Sequence, residues 1–169
     1  MTEFYKSIWE VTMRKLLFVD VDGTLSSPCY KVDGKFQIGM SGEQWQEYCK
    51  IHGEDTYEYC RPVPVVKEYI EVAKAEGARL FVLSTTSSPE EIKAKRKFVG
   101  QHYPGLFEEV IGVEHDNQKV DYILEKAQEL GVAAVNCELI EDTYHILLQA
   151  VTTGIQCTHL STILTGIDQ

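Results

Sequence analysis

Two aspartates, Asp20 and Asp22, come directly after a short apolar run, Leu16–Val19. Such a run is typical of a strand that is buried on both faces, as in a parallel sheet. Two carboxylates at the end of a buried strand are costly to remove from water, so a purely structural role for both is disfavoured. In open α/β sheets, ligands bind at the carboxyl ends of the strands. There, one carboxylate can bind a cation or attack an electrophile while the other handles protons.

The rest of the chain predicts strands that alternate with helices, which would bring further polar residues to the same edge. Apolar runs predict strands over 79–83, 109–113, 133–140 and 155–158. Amphipathic patterns predict helices over 62–76, from Ser88 onward, over 119–130 and around 146–150. This alternation is typical of βαβ units in a mostly parallel sheet.

The segment between the first strand and the helix at residue 62 has its own signals. Asp33-Gly34 lies between alternating runs and predicts a hairpin. Ser41 and Gln44 predict a capping box, and Gly53 predicts the end of that short helix. Only about 35 residues are available here, too few for a large independent domain.

The aromatic residues of this insert have two interpretations. They could shape the mouth of a pocket, or they could pack the insert onto the core, and packing is favoured for any single residue. The residues are Trp45, Tyr48, Tyr57 and Tyr59.

Composition limits the classes of function. The length of 169 residues predicts a single domain. The net charge of −10 disfavours a general nucleic-acid-binding surface, but it does not exclude a local basic groove. No apolar run approaches the length of a transmembrane helix, and the start of the chain lacks the layout of a signal peptide. The five cysteines form no CxxC pair, which favours reduced thiols and a cytoplasmic protein. Apolar residues at helical spacing make a short helix an open alternative for residues 1–13.

The stretch from Lys15 to Leu25, KLLFVDVDGTL, resembles the first motif of the haloacid dehalogenase-like (HAD) superfamily, of the DxDGT kind. The resemblance implies a Rossmann-like three-layer α/β sandwich with a central parallel five-stranded sheet in the order 5-4-1-2-3. It also implies a flap hairpin after the first strand. The expected single domain spans 1–169, with a core of about 14–25 and 61–169 and a flap and small insert of about 26–60.

The resemblance implies that Asp20 attacks phosphorus and forms an aspartyl-phosphate. Asp22 would protonate the leaving oxygen and then activate water, and Gly23 and Thr24 would bind substrate. The dehalogenase branch lacks an aspartate at the second position, so Asp22 argues against a dehalogenase. Keeping a proton on Asp22 near neutral pH requires a raised pKa, which burial near another carboxylate would favour.

Two further motifs supply groups for a phosphate. Ser84 is the best match to the hydroxyl that closes the second strand, with Thr85 as the alternative, and either could instead cap a helix. Lys119 matches the lysine near a helix start, where the helix dipole disfavours a cation and a functional reason is therefore preferred. By resemblance, Lys119 offsets the charge on Asp20 and on the phosphate.

The fourth motif is the acidic pair Glu141-Asp142 after an apolar strand. By resemblance, these carboxylates join Asp20 and the backbone carbonyl of Asp22 in a hard oxygen site suited to Mg²⁺. The alternative is that one of the pair caps the next helix. Both residues therefore stand as candidate metal ligands.

A basic cluster follows the second strand on a predicted helix. A solvated helix face is the favoured interpretation, and a contact with a phosphate-rich substrate or partner is the alternative. The cluster consists of Lys93, Lys95, Arg96 and Lys97.

The function expected from the resemblance is Mg²⁺-dependent hydrolysis of a phosphomonoester. The substrate would be a small phosphorylated metabolite or nucleotide, or an accessible phosphate on a macromolecule, and closure of the site by a second subunit is an open alternative. Two other functions stay open: a non-catalytic module that binds a phosphorylated ligand or partner, and a phosphotransferase. A phosphotransferase must keep water from the intermediate, and the small insert argues against such a lid.

Overall fold

The structure, a computed structural model, describes residues 15–165. Its strands, in chain order, are β1 (Leu16–Val19), β2 (Ser26–Ser27), β3 (Tyr30–Val32), β4 (Lys35–Gln37), β5 (Arg61–Pro62), β6 (Arg79–Thr85), β7 (Glu109–Val113), β8 (Cys137–Glu141) and β9 (Gln156–His159). Its α-helices are α1 (Gly42–His52), α2 (Pro64–Ala75), α3 (Pro89–His102), α4 (Gln118–Glu129), α5 (Tyr144–Val151) and α6 (Leu160–Thr165). The helix considered for residues 1–13 lies outside the described residues.

The centre of the fold is a five-stranded sheet in the order β7-β6-β1-β8-β9, and all of its pairings are parallel. This order is the predicted 5-4-1-2-3, which is therefore confirmed. All four residues of β1 are buried, as predicted for a strand covered on both faces.

The alternation of side chains along β1 divides the core into two layers. Leu17 and Val19 belong to an apolar cluster that also contains residues of α2, α3 and α6. Leu16 and Phe18 belong to a second cluster, with residues of α4 and α5. The sheet is thus the middle layer of an α/β sandwich with helices on both faces.

Several predicted boundaries differ from the structure. Strand β6 continues to Thr85 rather than ending at Leu83, because Ser84 and Thr85 still pair with β7. Strand β8 begins at Cys137, because Ala134–Asn136 forms a 3-10 turn.

The helix expected from residue 62 begins instead at Pro64. Pro62 lies in β5, which pairs with β2 in a small antiparallel ladder. Neither this ladder nor helix α6 was predicted.

The flap and the insert form as their sequence signals predict. Strands β3 and β4 make an antiparallel hairpin, with positive φ at Asp33 and Gly34. Ser41 and Gln44 form the capping box of α1, and Gly53 is its C-cap. This hairpin and helix stand beside the carboxyl edge of the central sheet.

Two features bear on the predicted environment of the protein. All five cysteines are free thiols. Within residues 15–165, no helix has both the length and the apolar character that crossing a membrane requires.

The buried side chain of Tyr103 ties the loop after β1 to the start of α2. Its hydroxyl donates to the Leu25 carbonyl at 2.6 Å and accepts from the Val63 N–H at 3.1 Å. Val63 also donates directly to Leu25 at 3.2 Å. The Tyr103 hydroxyl thus forms hydrogen bonds with both Leu25 and Val63, next to the motif that carries Asp20.

We expect Tyr103→Phe to lower the free energy of unfolding by about 1 kcal/mol, because the ring still fills its site while its two hydrogen bonds are lost. Denaturant unfolding followed by circular dichroism measures this change. Tyr144→Phe is the matched control, since Tyr144 is 68% exposed, and should leave stability unchanged. Equal stability of Tyr103→Phe and the parent protein would contradict the expectation.

Candidate active site

The loop after β1 places Asp20 at the carboxyl edge of the sheet. Asp20 donates its backbone N–H to the Ile140 carbonyl at 3.1 Å, which extends the pairing with β8 by one residue. Gly23 has a φ of 78°, and a Cβ atom at this position would overlap the carboxylate of Asp142. Glycine therefore serves both the turn and the close approach of the loop to Asp142.

The ammonium group of Lys119 bridges two buried carboxylates. It donates to Asp20 Oδ1 at 2.9 Å and to Glu141 Oε2 at 2.6 Å. Burial lowers the pKa of Lys119, but the attraction of both carboxylates outweighs this effect and raises it. Burial raises the pKa of Asp20, and Lys119 opposes that rise only in part. Burial and the neighbouring Asp20 raise the pKa of Glu141 to about 8.

A cluster of carboxylate oxygens lies at this edge. Oxygens of Asp20, Glu141 and Asp142 lie within 4.8 Å of one another. Both oxygens of Glu141 accept hydrogen bonds. Oε2 accepts from Lys119, and Oε1 accepts from the backbone N–H groups of Asp142 and Thr143. The Asp142 carboxylate accepts one hydrogen bond, from the Thr143 hydroxyl at 3.2 Å, and is more open. The donor set fits a hard cation such as Mg²⁺, with Asp20 and Asp142 as its more available members.

The carboxylate of Asp22 lies apart from this acidic cluster. Its Oδ1 accepts from the Tyr57 hydroxyl at 2.6 Å, and its Oδ2 pairs with Lys95 at 2.8 Å. Asp22 is only half-buried, since 39% of its side chain is exposed. Tyr57 and Lys95 therefore hold the Asp22 carboxylate, and it is not part of the acidic cluster.

The two candidate hydroxyls at the end of β6 have different partners. The buried Ser84 Oγ accepts from Lys95 at 2.8 Å, and the same ammonium group contacts Asp22. The Thr85 hydroxyl instead donates to Asp116 at 2.5 Å. Ser84 and Asp22 thus share Lys95 as a partner, whereas the Thr85 hydroxyl is bound to the loop before α4.

Solved structures have the same architecture. A haloacid dehalogenase-like hydrolase from Streptococcus pneumoniae has 18% identity and a TM-score of 0.53, over 94% of this chain and 93% of that one. A HAD family enzyme from Bacteroides thetaiotaomicron, crystallised with magnesium and inorganic phosphate, has 12% identity and a TM-score of 0.52, over 86% and 93%. A predicted phosphoglycolate phosphatase from Haemophilus somnus has 16% identity and a TM-score of 0.59, over 88% and 84%.

The chain has the HAD-like fold.

Sequence comparison adds nothing to this likeness. No protein-family model matches the chain, and no curated protein sequence matches it. At these sequence identities, the structural likeness establishes the fold but not the chemistry.

The predicted residues of the HAD-like motifs converge in the structure. Asp20, Lys119 and Glu141 are in contact, and Asp142 lies against Gly23. The remaining candidate, Thr24, is buried in the same loop, and its hydroxyl has no hydrogen-bond partner among the described residues.

Lys95 is the site residue that the sequence interpretation missed. Its side chain is completely buried and contacts Asp22 and Glu91 at 2.8 Å each, besides the Ser84 hydroxyl. It also donates to the Thr85 carbonyl at 2.5 Å. Burial lowers the pKa of Lys95, but the nearby carboxylates, Asp22 first, together raise it. The solvated-face interpretation is therefore wrong for Lys95.

The sequence did contain a signal for Lys95. Its three basic neighbours, Lys93, Arg96 and Lys97, do lie at or near the surface. Lys95, in contrast, shares the buried stripe of α3 with Glu91, Ala94, Phe98 and Val99. These positions follow the i, i+3, i+4, i+7, i+8 spacing of a core-facing helix stripe.

We expect Lys95→Met to lower the free energy of unfolding by about 3–5 kcal/mol, because it leaves the buried carboxylate of Glu91 without its cation. Denaturant unfolding measures the loss. Adding Glu91→Gln should recover part of it, with a coupling energy of about 1–3 kcal/mol in the double-mutant cycle.

The matched control is Lys97→Met, the same substitution on the same helix. Lys97 pairs with Asp55 at the surface, so its loss should be far smaller. Purely additive effects of Lys95→Met and Glu91→Gln would show that the two side chains do not act as a pair.

Proposed function

We propose that this chain is a Mg²⁺-dependent phosphomonoester hydrolase that acts through an aspartyl-phosphate. The observation that carries the proposal is the buried Asp20 carboxylate, held at 2.9 Å by Lys119 at the carboxyl edge of a HAD-like sheet. The named phosphatase among the similar structures supports the same reaction class. Its substrate is not carried over to this chain.

Asp20 is the nucleophile in this proposal. Lys119 holds Oδ1, which leaves Oδ2 to attack phosphorus. The Oδ2–P bond forms as the bond from phosphorus to the leaving oxygen breaks, and Asp22 gives its proton to that oxygen. Asp22 then takes a proton from water, whose oxygen attacks phosphorus and releases Asp20 and inorganic phosphate.

Ser84 and Lys95 orient the phosphate. An ammonium group can only donate hydrogen bonds, so the Ser84 oxygen is the acceptor in its contact with Lys95. The Ser84 hydroxyl proton is then free to point at a phosphate oxygen. Lys95 also holds one oxygen of Asp22, while Tyr57 holds the other. Lys95 therefore acts as a positioning residue for both groups.

Asp20, Asp142 and the backbone carbonyl of Asp22 would hold Mg²⁺ in this proposal. When bound, the ion supplies positive charge that offsets the phosphate and the attacking carboxylate. Glu141 lies in the same cluster, but its contacts with Lys119 make it the group that fixes the lysine. A cytoplasmic location and closure of the site by a second subunit stay predictions from the sequence.

We expect the parent protein to hydrolyse a generic aryl phosphate with Mg²⁺, and Asp20→Asn to lower kcat at least about 10³-fold, because the amide is a poor nucleophile. Release of inorganic phosphate measures the rate. Asp33→Asn is the matched control, since this exposed aspartate lies in the flap turn, and it should keep the parent rate. Undiminished activity of Asp20→Asn would overturn the mechanism, and phosphate binding without turnover would favour the binding module instead.

Magnesium binding has a readout that does not depend on activity. We expect Mg²⁺ at about 100-fold its dissociation constant to stabilise the fold by about 2.7 kcal/mol. Thermal unfolding with and without Mg²⁺ measures this shift. Asp142→Asn should remove most of it, while the exposed Asp121→Asn should not. A full shift in Asp142→Asn would exclude this carboxylate as a ligand.

A further inference from the structure

An open pocket of about 320 Å³ begins at the catalytic loop. One side of it consists of Asp22, Gly23 and Asp142. In the proposed mechanism, Asp22 protonates the leaving oxygen, so the group attached to that oxygen must lie on the same side as Asp22. The pocket is therefore placed to receive the organic part of the substrate.

The opposite wall of the pocket is apolar and comes from the flap and from α1. Tyr30 and Trp45 line it as an edge-to-face pair, with ring centroids 5.1 Å apart. Met40 and Ile38 extend this wall, and Ile38 is 79% exposed. A ligand that covers these side chains would remove apolar surface from water, which favours binding.

The charges of the pocket are all of one sign. Its charged members are Asp22 and Asp142, and no lysine, arginine or histidine of the described residues lines it. Lys95 pairs with Asp22 from behind, but it is completely buried and shared with Glu91. No cation of the described residues therefore faces the pocket to pair with a second phosphate or a carboxylate on the leaving group. The phosphoryl group differs from such an anion, because Lys119 contacts Asp20, which would bond to phosphorus in the proposed mechanism.

We infer that the pocket selects a phosphomonoester whose leaving group carries a neutral, flat ring. The open pocket of about 320 Å³ has room for one ring system. Trp45 is half-buried and offers an aromatic contact to such a ring, while Tyr30 is buried behind it and supports it. The inference rests on the proposed hydrolase function and adds a substrate class to it. Small phosphorylated carboxylic acids are excluded from that class.

The test compares two substrates with the same kind of leaving oxygen, so that chemical reactivity does not decide the result. These are 2-phenylethyl phosphate and 3-phosphonooxypropanoate, both esters of primary alcohols. With Mg²⁺ present, we expect kcat/KM to favour the ring compound at least about 10-fold. Equal values, or a preference for the carboxylate, would overturn the inference while leaving the hydrolase function in place. Hydrolysis of neither compound, nor of the generic aryl phosphate, would overturn both.

Ile38→Lys tests the pocket directly. The variant should fold like the parent, because the Ile38 side chain is exposed. A cation there should raise kcat/KM for the carboxylate and lower the preference for the ring at least about 10-fold. Ile51→Lys is the matched control, since Ile51 is 69% exposed on α1 and does not line the pocket. Its preference should equal that of the parent. An unchanged preference in Ile38→Lys would show that the leaving group binds elsewhere.

Trp45→Ala gives a second, independent variant. We expect it to raise KM for the ring compound and to leave KM for the carboxylate unchanged. Trp45 also packs against Tyr48 and Tyr57, so circular dichroism must first show that the variant is folded. An unchanged KM in the folded variant would contradict the assignment of the aromatic wall.

Discussion

The ammonium group of Lys119, shared by Asp20 and Glu141, is the contact on which the site depends. Two buried carboxylates side by side are strongly unfavourable unless a cation lies between them. The register of the sheet creates this problem, because Val19 pairs with Ile140 and the next residue of each strand carries a carboxylate. A slip of one residue would turn one of these side chains to the other face of the sheet. The pairing of β1 with β8 and the position of α4 therefore specify each other.

A second buried cation repeats this arrangement on the other side of the loop after β1. Lys95 lies between Asp22 and Glu91, as Lys119 lies between Asp20 and Glu141. Each lysine comes from a helix and holds one aspartate of the same short loop. The two aspartates are thereby kept apart and given different surroundings, one buried with the metal-binding candidates and one open to the pocket. Such a separation allows one carboxylate to attack while the other handles protons.

Much of this arrangement could be predicted from sequence, because strands and motif residues have local signals. The apolar run before Asp20, the Asp33-Gly34 turn and the strand order implied by the family resemblance all agree with the structure. The extension of β6 could not be predicted, since Ser84 and Thr85 are held as a strand by β7 and not by their own propensity. Lys95 was missed for a different reason. A glutamate and a lysine four residues apart are typical of a solvated helix face, and this pattern hid the apolar stripe of Ala94, Phe98 and Val99 on the same face.

The insert connects the wall of the pocket with Asp22. Tyr57 donates to Asp22, and its ring lies edge-on to Trp45 at a centroid distance of 6.1 Å. Trp45 in turn forms part of the pocket wall. A leaving group that contacts Trp45 would therefore contact the same packed unit that holds Asp22, the proton donor of the proposed mechanism. A small insert can in this way contribute to selectivity without a separate domain that closes over the site.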